Sequence, residues 1–92
     1  MKTSKEQKEL ERVMKAFANR RRLAICRYLK TARRATVGDI AEEIDLSFKA
    51  TSKHLGILFA AGILERDQQS LQIWYRFADD HSTAARAVLQ VL

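Results

Sequence analysis

Ser47-Phe48-Lys49-Ala50-Thr51-Ser52-Lys53-His54-Leu55-Gly56-Ile57-Leu58-Phe59-Ala60-Ala61-Gly62 decides the fold. Ser47 is a strong helix N-cap, and Gly62 enters the left-handed region that ends a helix without a Cβ penalty. The spacing predicts a helix from Ser47 to about Ala61. At 100° per residue, Ala50, Thr51, Leu55, Ile57, Leu58 and Ala61 fall on one broad arc, and Lys49, Ser52, Lys53 and Gly56 on the opposite one. The outward arc holds no carboxylate. Immediately upstream, Thr36-Val37-Gly38-Asp39 resembles a capping box with Asp in place of Glu, and it opens a short helix that buries Val37, Ile40, Ala41 and Ile44. Two short helices joined by about three residues, Asp45-Leu46-Ser47, form a helix-turn-helix unit.

The flanks extend that unit. Residues 4–18 place Leu10, Val13, Met14 and Phe17 on one apolar stripe of an amphipathic helix. Asn19 caps a second helix running to about Lys30, with Leu23, Ile25, Cys26, Tyr28 and Leu29 as its apolar positions. Residues 31–35 read as a basic loop. After Gly62 the period changes to two, and residues 63–66 and 71–77 read as strands around a polar loop at 67–70, with Leu71, Ile73, Tyr75 and Phe77 on one face. Asp79 or Asp80 caps a last helix whose stripe is Ala84, Ala85, Val88, Leu89 and Leu92. The expected fold is mainly α with a small β-hairpin, a winged helix-turn-helix in the order α-α-α-α-β-β-α, as one domain over residues 1–92.

Composition bounds the function. The chain has 92 residues and a formal net charge of +6. Residues 1–36 carry 12 Lys or Arg against 3 Glu, or +9, and the remainder carries 5 against 8, or −3. Such asymmetry favours an anionic partner without identifying it. No apolar run approaches the roughly 18 residues of a membrane span, and residues 1–11 are too charged for a signal peptide, so a cytoplasmic protein without a membrane partner is expected. The single Cys26 excludes an internal disulfide; a small buried hydrophobe accounts for it, against a redox sensor that has no second thiol to condense with. Two histidines, one cysteine and no phosphate-cradling Gly-rich loop assemble no nucleophile, base and oxyanion set, so no enzyme and no cofactor is expected.

Ala50-Thr51-Ser52-Lys53-His54-Leu55-Gly56-Ile57-Leu58 with Ala61-Gly62-Ile63-Leu64 resembles the recognition helix and wing entry of the ArsR family of regulators, and Ala18-Asn19-Arg20-Arg21-Arg22-Leu23 resembles the entry to its second helix. The resemblance runs from about Val13 to the C-terminus. It implies a homodimer paired through the first and last helices, a recognition helix in the major groove of double-stranded DNA, and repression relieved by a metal or another signal. On that basis Ser47, Phe48, Lys49, Ser52 and Lys53 are the candidate DNA contacts on the helix, with Arg66, Gln68, Gln69 and also Arg76 on the wing. Leu10, Val13, Met14, Phe17, Val88, Leu89 and Leu92 are the candidate dimer interface.

The departures are specific. Phe48 stands where the family often has a polar residue; it either contacts a thymine methyl or shields the turn. Phe59 replaces a charged or polar residue and is expected to pack against another element or a partner. His54 lies towards the buried arc and is assigned to packing rather than base contact. The family's cysteine pair is absent from the third helix. Asp79-Asp80-His81 supplies half of its last-helix site with no later His or Glu, so no metal is expected and the effector is unknown. A winged-helix protein-interaction module that does not bind DNA is the competing function.

Overall fold

Side-chain caps set the start of four of the helices among the described residues. The computed structural model describes residues 4–80 and 82–92. Its elements are α1 (Ser4–Phe17), α2 (Arg20–Ala32), β1 (Arg34–Thr36), α3 (Val37–Ile44), α4 (Phe48–Ala60), β2 (Leu64–Gln69), β3 (Gln72–Phe77) and α5 (Thr83–Gln90). Asn19 Oδ1 accepts from the N–H groups of Arg21 and Arg22, at 2.9 and 3.1 Å, and starts α2. Thr36 Oγ1 accepts from Asp39 N–H at 3.2 Å and Ser47 Oγ from Ala50 N–H at 3.1 Å. Each such cap stabilises its helix by about 1 kcal/mol. The last cap is not the expected one. Ser82, immediately before α5, accepts from Ala85 N–H at 3.1 Å, whereas Asp79 lies too far upstream and instead donates its N–H to Glu65 Oε1 at 3.3 Å.

The helix ends are equally local. Asp45 closes α3 in the left-handed region at φ 56°, which Asp tolerates better than most residues. Gly62, at φ 76°, follows α4. There Gly62 N–H bonds to Phe59 O at 3.0 Å and Ile63 N–H to Leu58 O at 3.1 Å, the paired bonds of a Schellman motif. Leu58 and Ile63, which the motif brings together, are both fully buried.

The wing is longer than the sequence pattern indicated. Residues 67–69, read as loop, continue β2 and pair with β3 in the register Asp67↔Trp74, Gln68↔Ile73 and Gln69↔Gln72. Only Ser70 and Leu71 make the turn, with Ser70 at φ 57°. Polar residues suffice because the outer part of an antiparallel ribbon needs only backbone pairing. A third strand was not anticipated. β1 pairs antiparallel with β3 (Ala35↔Tyr75), giving a sheet of order β1-β3-β2. Three residues are too short to show a period.

One core joins these elements, including Phe17 of α1, Ile25 and Leu29 of α2, Ile40 of α3, Leu55 and Leu58 of α4, Tyr75 of β3 and Leu89 of α5. Cys26 is fully buried within it, and burial pushes its thiol pKa up to about 12, which fits the packing role and leaves it unreactive. Thr51, also fully buried, is the one residue among those described with a buried side-chain polar atom lacking a hydrogen-bond partner. An unpaired buried hydroxyl costs about 1 to 3 kcal/mol. Thr51→Val keeps the shape and removes the hydroxyl, so it is expected to stabilise by about 1 kcal/mol and raise Tm by about 4 to 8 °C. Thermal unfolding followed by circular dichroism checks this; a lower Tm would mean the hydroxyl is satisfied.

Candidate nucleic-acid interface

The buried residues of α4 are Thr51, Leu55 and Leu58. Their burial turns Lys49 and Lys53 fully outward, with Ser52 and Gly56 half-buried beside them. Ser47 uses one hydroxyl lone pair for its cap and keeps its O–H hydrogen to donate. Ile57 does not lie on the buried arc, as the sequence pattern had it. It stands about 200° round the helix from Leu55, so it is exposed and lines a depression between α4 and α1 with Lys8, Lys15 and Ala16.

His54 packs rather than points outward. Arg22 of α2 donates through Nε to Ala16 O at 2.6 Å and through Nη2 to Lys15 O at 3.2 Å, and its Nη1 lies 3.1 Å from His54 Nδ1. A guanidinium has no acceptor, so Nδ1 accepts and the neutral imidazole carries its proton on Nε2. Burial, then the charges of Arg22, Arg21 and Lys53, lower the His54 pKa below its ordinary value.

On the wing side, the Arg66 guanidinium sits 4.0 Å from the Phe59 ring centre, which accounts for an aromatic residue at that place. Arg34 stacks over Trp74 at 4.3 Å and reaches Gln69 Oε1 at 3.4 Å. Gln68 and Gln69 are exposed on the outer part of β2. Arg76 is held by acidic neighbours. Its Nε bonds to Asp67 Oδ2 at 3.1 Å, and its Nη1 lies 3.5 Å from Glu65 Oε1 and 3.6 Å from Asp79 Oδ1. The hydrogen bond to Asp67, reinforced by the three carboxylate charges, raises its pKa. Phe48 is exposed at the mouth of a cleft between α4 and the wing.

Three arginines of α2 that are not among the candidate contacts of the sequence form a further basic area. Arg20, Arg21 and Arg27 of α2 border a depression shared with Glu43 and Ile44 at the end of α3. The first turn of α2 has three arginines and no acid. Cations at the positive end of a helix dipole are unfavourable, and that contradiction was the signal available in the sequence.

The proposed dimer stripe divides. Val13, Phe17 and Leu89 are buried in the protomer's own core, where α1 packs against α5. Leu10 and Met14 remain exposed, and Val88 and Leu92 half-buried. Val91, which the sequence reading omitted, is exposed as well.

Among the described residues no three His, Cys, Asp or Glu side chains converge on a common point. Asp79 faces Arg76, and His81 lies outside the described residues. Among the described residues no helix is long and apolar enough to cross a membrane.

A family model for a helix-turn-helix domain matches residues 17–67. No curated protein matches the chain by sequence. Among solved structures, the chain is similar to the homodimeric winged helix-turn-helix DNA-binding domain of a possible ArsR-family transcriptional regulator from Mycobacterium bovis. That match has 30% identity and a TM-score of 0.82, and covers 96% of this chain and 81% of that one. HlyU from Vibrio cholerae matches at 27% identity and a TM-score of 0.78, covering 97% and 92%. The antimony-specific transcriptional repressor AntR matches at 27% identity and a TM-score of 0.79, covering 97% and 78%.

The His54 environment has a thermodynamic consequence. The unfolded chain takes up the imidazole proton more readily than the folded protein, so stability is expected to fall as pH drops below about 6.5. His54→Gln does not titrate and keeps an acceptor for Arg22. Between pH 7 and pH 5, urea midpoints of the wild type should fall more than those of the variant. Equal falls would show that His54 titrates alike in both states.

Proposed function

The chain belongs to the ArsR family of winged helix-turn-helix regulators, and from that premise we propose that it is a homodimeric transcriptional repressor that binds double-stranded DNA sequence-specifically through α4. The observation that carries this reading is the outward face of α4, where Lys49 and Lys53 are exposed on a helix that contains no acidic residue. A helix of this kind fits the major groove, about 12 Å wide, with cations meeting phosphates and base edges. The family and its structural neighbours point to regulation; we assign the protein no catalysis. Its work lies in the cytoplasm, with the DNA it reads.

Roles follow from position. Lys53, in the second turn of α4, reads a base edge beside Ser52, while Lys49 and the Ser47 hydroxyl hold phosphate near the helix start. Arg66, Gln68 and Gln69 contact the backbone on the wing side. Arg20 and Arg21 do so on the other side, which accounts for arginines kept against the helix dipole. Two protomers pair through Leu10, Met14, Val88, Val91 and Leu92, with Val13, Phe17 and Leu89 supporting them from beneath. The pairing fixes two recognition helices about 34 Å apart, one turn of DNA.

Binding measurements separate these roles. Lys53→Ala is expected to cost about 1 to 3 kcal/mol on the cognate site and to flatten preference at one base position. Arg20→Gln with Arg21→Gln should weaken cognate and scrambled duplexes alike and reduce the salt slope by about two, one per phosphate lost. If the Lys49→Ala, Lys53→Ala double variant binds cognate DNA like wild type, α4 does not read DNA and the protein-interaction module becomes the better account.

The dimer has its own test. The wild type should sediment as a dimer at micromolar concentration, and Leu10→Glu with Met14→Glu as a monomer that has lost most of its affinity for a two-half-site duplex. A monomeric wild type would refute the interface.

A further inference from the structure

Three large apolar side chains lie exposed on the wing side of α4. Phe48 is 64% exposed, Leu71 98% and Ile73 41%. They line one cleft of about 320 Å³, with Val37, Ser52 and Tyr75 among its other walls. Isolated exposed apolar residues are ordinary, but a cluster converging from two elements marks a surface that something covers. Phe48 opens α4, while Leu71 belongs to the wing turn, so the chain brings them together only through the fold.

The surroundings indicate what covers the cluster. Lys49 and Lys53 lie beside it on α4 and Arg66 further along the wing, all exposed, so the partner is anionic at its margins and apolar between them. The major groove of a duplex has that character, with phosphates along its edges and thymine 5-methyl groups on its floor. The first residues of a recognition helix are also those that reach the base edges. Resting on the DNA-binding reading above, we propose that Phe48, walled by Leu71 and Ile73, reads thymine methyl groups, so that each half-site requires thymine where the start of α4 meets the groove. On the helical wheel Phe48 and Ser52 are only about 40° apart, so the ring and the hydroxyl address neighbouring base pairs from the same side of α4. Specificity then has two parts, a polar one through Lys53 and Ser52 and an apolar one through Phe48.

Deoxyuridine tests the apolar part alone, because it lacks the thymine methyl and keeps every hydrogen-bonding group. The full chain is first used to select its preferred duplex from a random pool, and each thymine of that duplex is then replaced in turn. At one or two positions per half-site, replacement should weaken wild-type binding about fourfold, the equivalent of one buried methyl group. At those positions Phe48→Ala should bind the thymine and deoxyuridine duplexes equally, and Leu71→Ser should show reduced discrimination. Both side chains are exposed, and circular dichroism confirms that the variants fold. If wild type binds every deoxyuridine duplex as it binds the thymine one, while still preferring it to scrambled DNA, the methyl-reading proposal falls and the DNA-binding reading stands. If no duplex is selected at all, both fall.

Discussion

Leu55 and Leu58, neither with any exposed surface, fix the rotation of α4 about its own axis, and the rest of the candidate interface depends on that setting. A helix carries its side chains at 100° intervals, so burying these two leaves Lys49 and Lys53 no direction but outward. Ser47 fixes where the helix begins. The Schellman bonds at Gly62 fix where it ends and direct the chain into β2, so the wing's position relative to α4 is set by the same residues.

The net positive charge is spread over arginines and lysines with different tasks, and their partners distinguish them. Arg22 is spent on Ala16, Lys15 and His54, and Arg76 on Asp67, Glu65 and Asp79. The Arg76 cluster also relieves the register that sets Arg34 opposite Arg76, since like charges directly across a sheet destabilise it. Arg34 and Arg66 lie on aromatic rings that hold their planes in place while leaving their edges open to an acceptor. Preorganised guanidinium groups lose less entropy on meeting a phosphate than freely rotating ones.

Much of this was legible because it is local. Asn19, Thr36, Ser47 and Gly62 act within one helical turn, and each sits where its residue type predicts. What depends on pairing between distant segments was not legible. β1 is only three residues long, and the polar stretch 67–69 is strand because β3 lies beside it. An apolar stripe reveals which face of a helix is covered and not what covers it: Val13, Phe17 and Leu89 are absorbed by their own protomer, while Leu10 and Met14 are not. Arg76 and Ile57 were misplaced for related reasons, one because its three acids converge only in the folded sheet, the other because the assumed buried arc was too wide. Leu71 illustrates the same limit, for its alternation with Ile73 and Tyr75 suggested a buried face, yet it occupies the turn.

Two side-chain contacts tie the helices assigned to dimerisation to the rest of the fold, and one of them reaches the helix assigned to DNA. Arg22 joins the last turn of α1, through the carbonyls of Lys15 and Ala16, to His54 in the middle of α4. Lys30 Nζ donates to Leu89 O at 2.8 Å, holding the end of α5 against α2. Both cations therefore work at the C-terminal ends of helices, where the dipole favours them, and both bridge a terminal helix to the helix-turn-helix body. A dimer can impose a fixed spacing on its two recognition helices only if α4 cannot shift against α1 and α5 within each protomer. The Arg22 contacts supply that rigidity at the point nearest α4. Since a guanidinium repels a protonated imidazole, the His54 end of the bridge favours the neutral ring, and the charge of Arg22 is one of the causes that lower the His54 pKa, after burial.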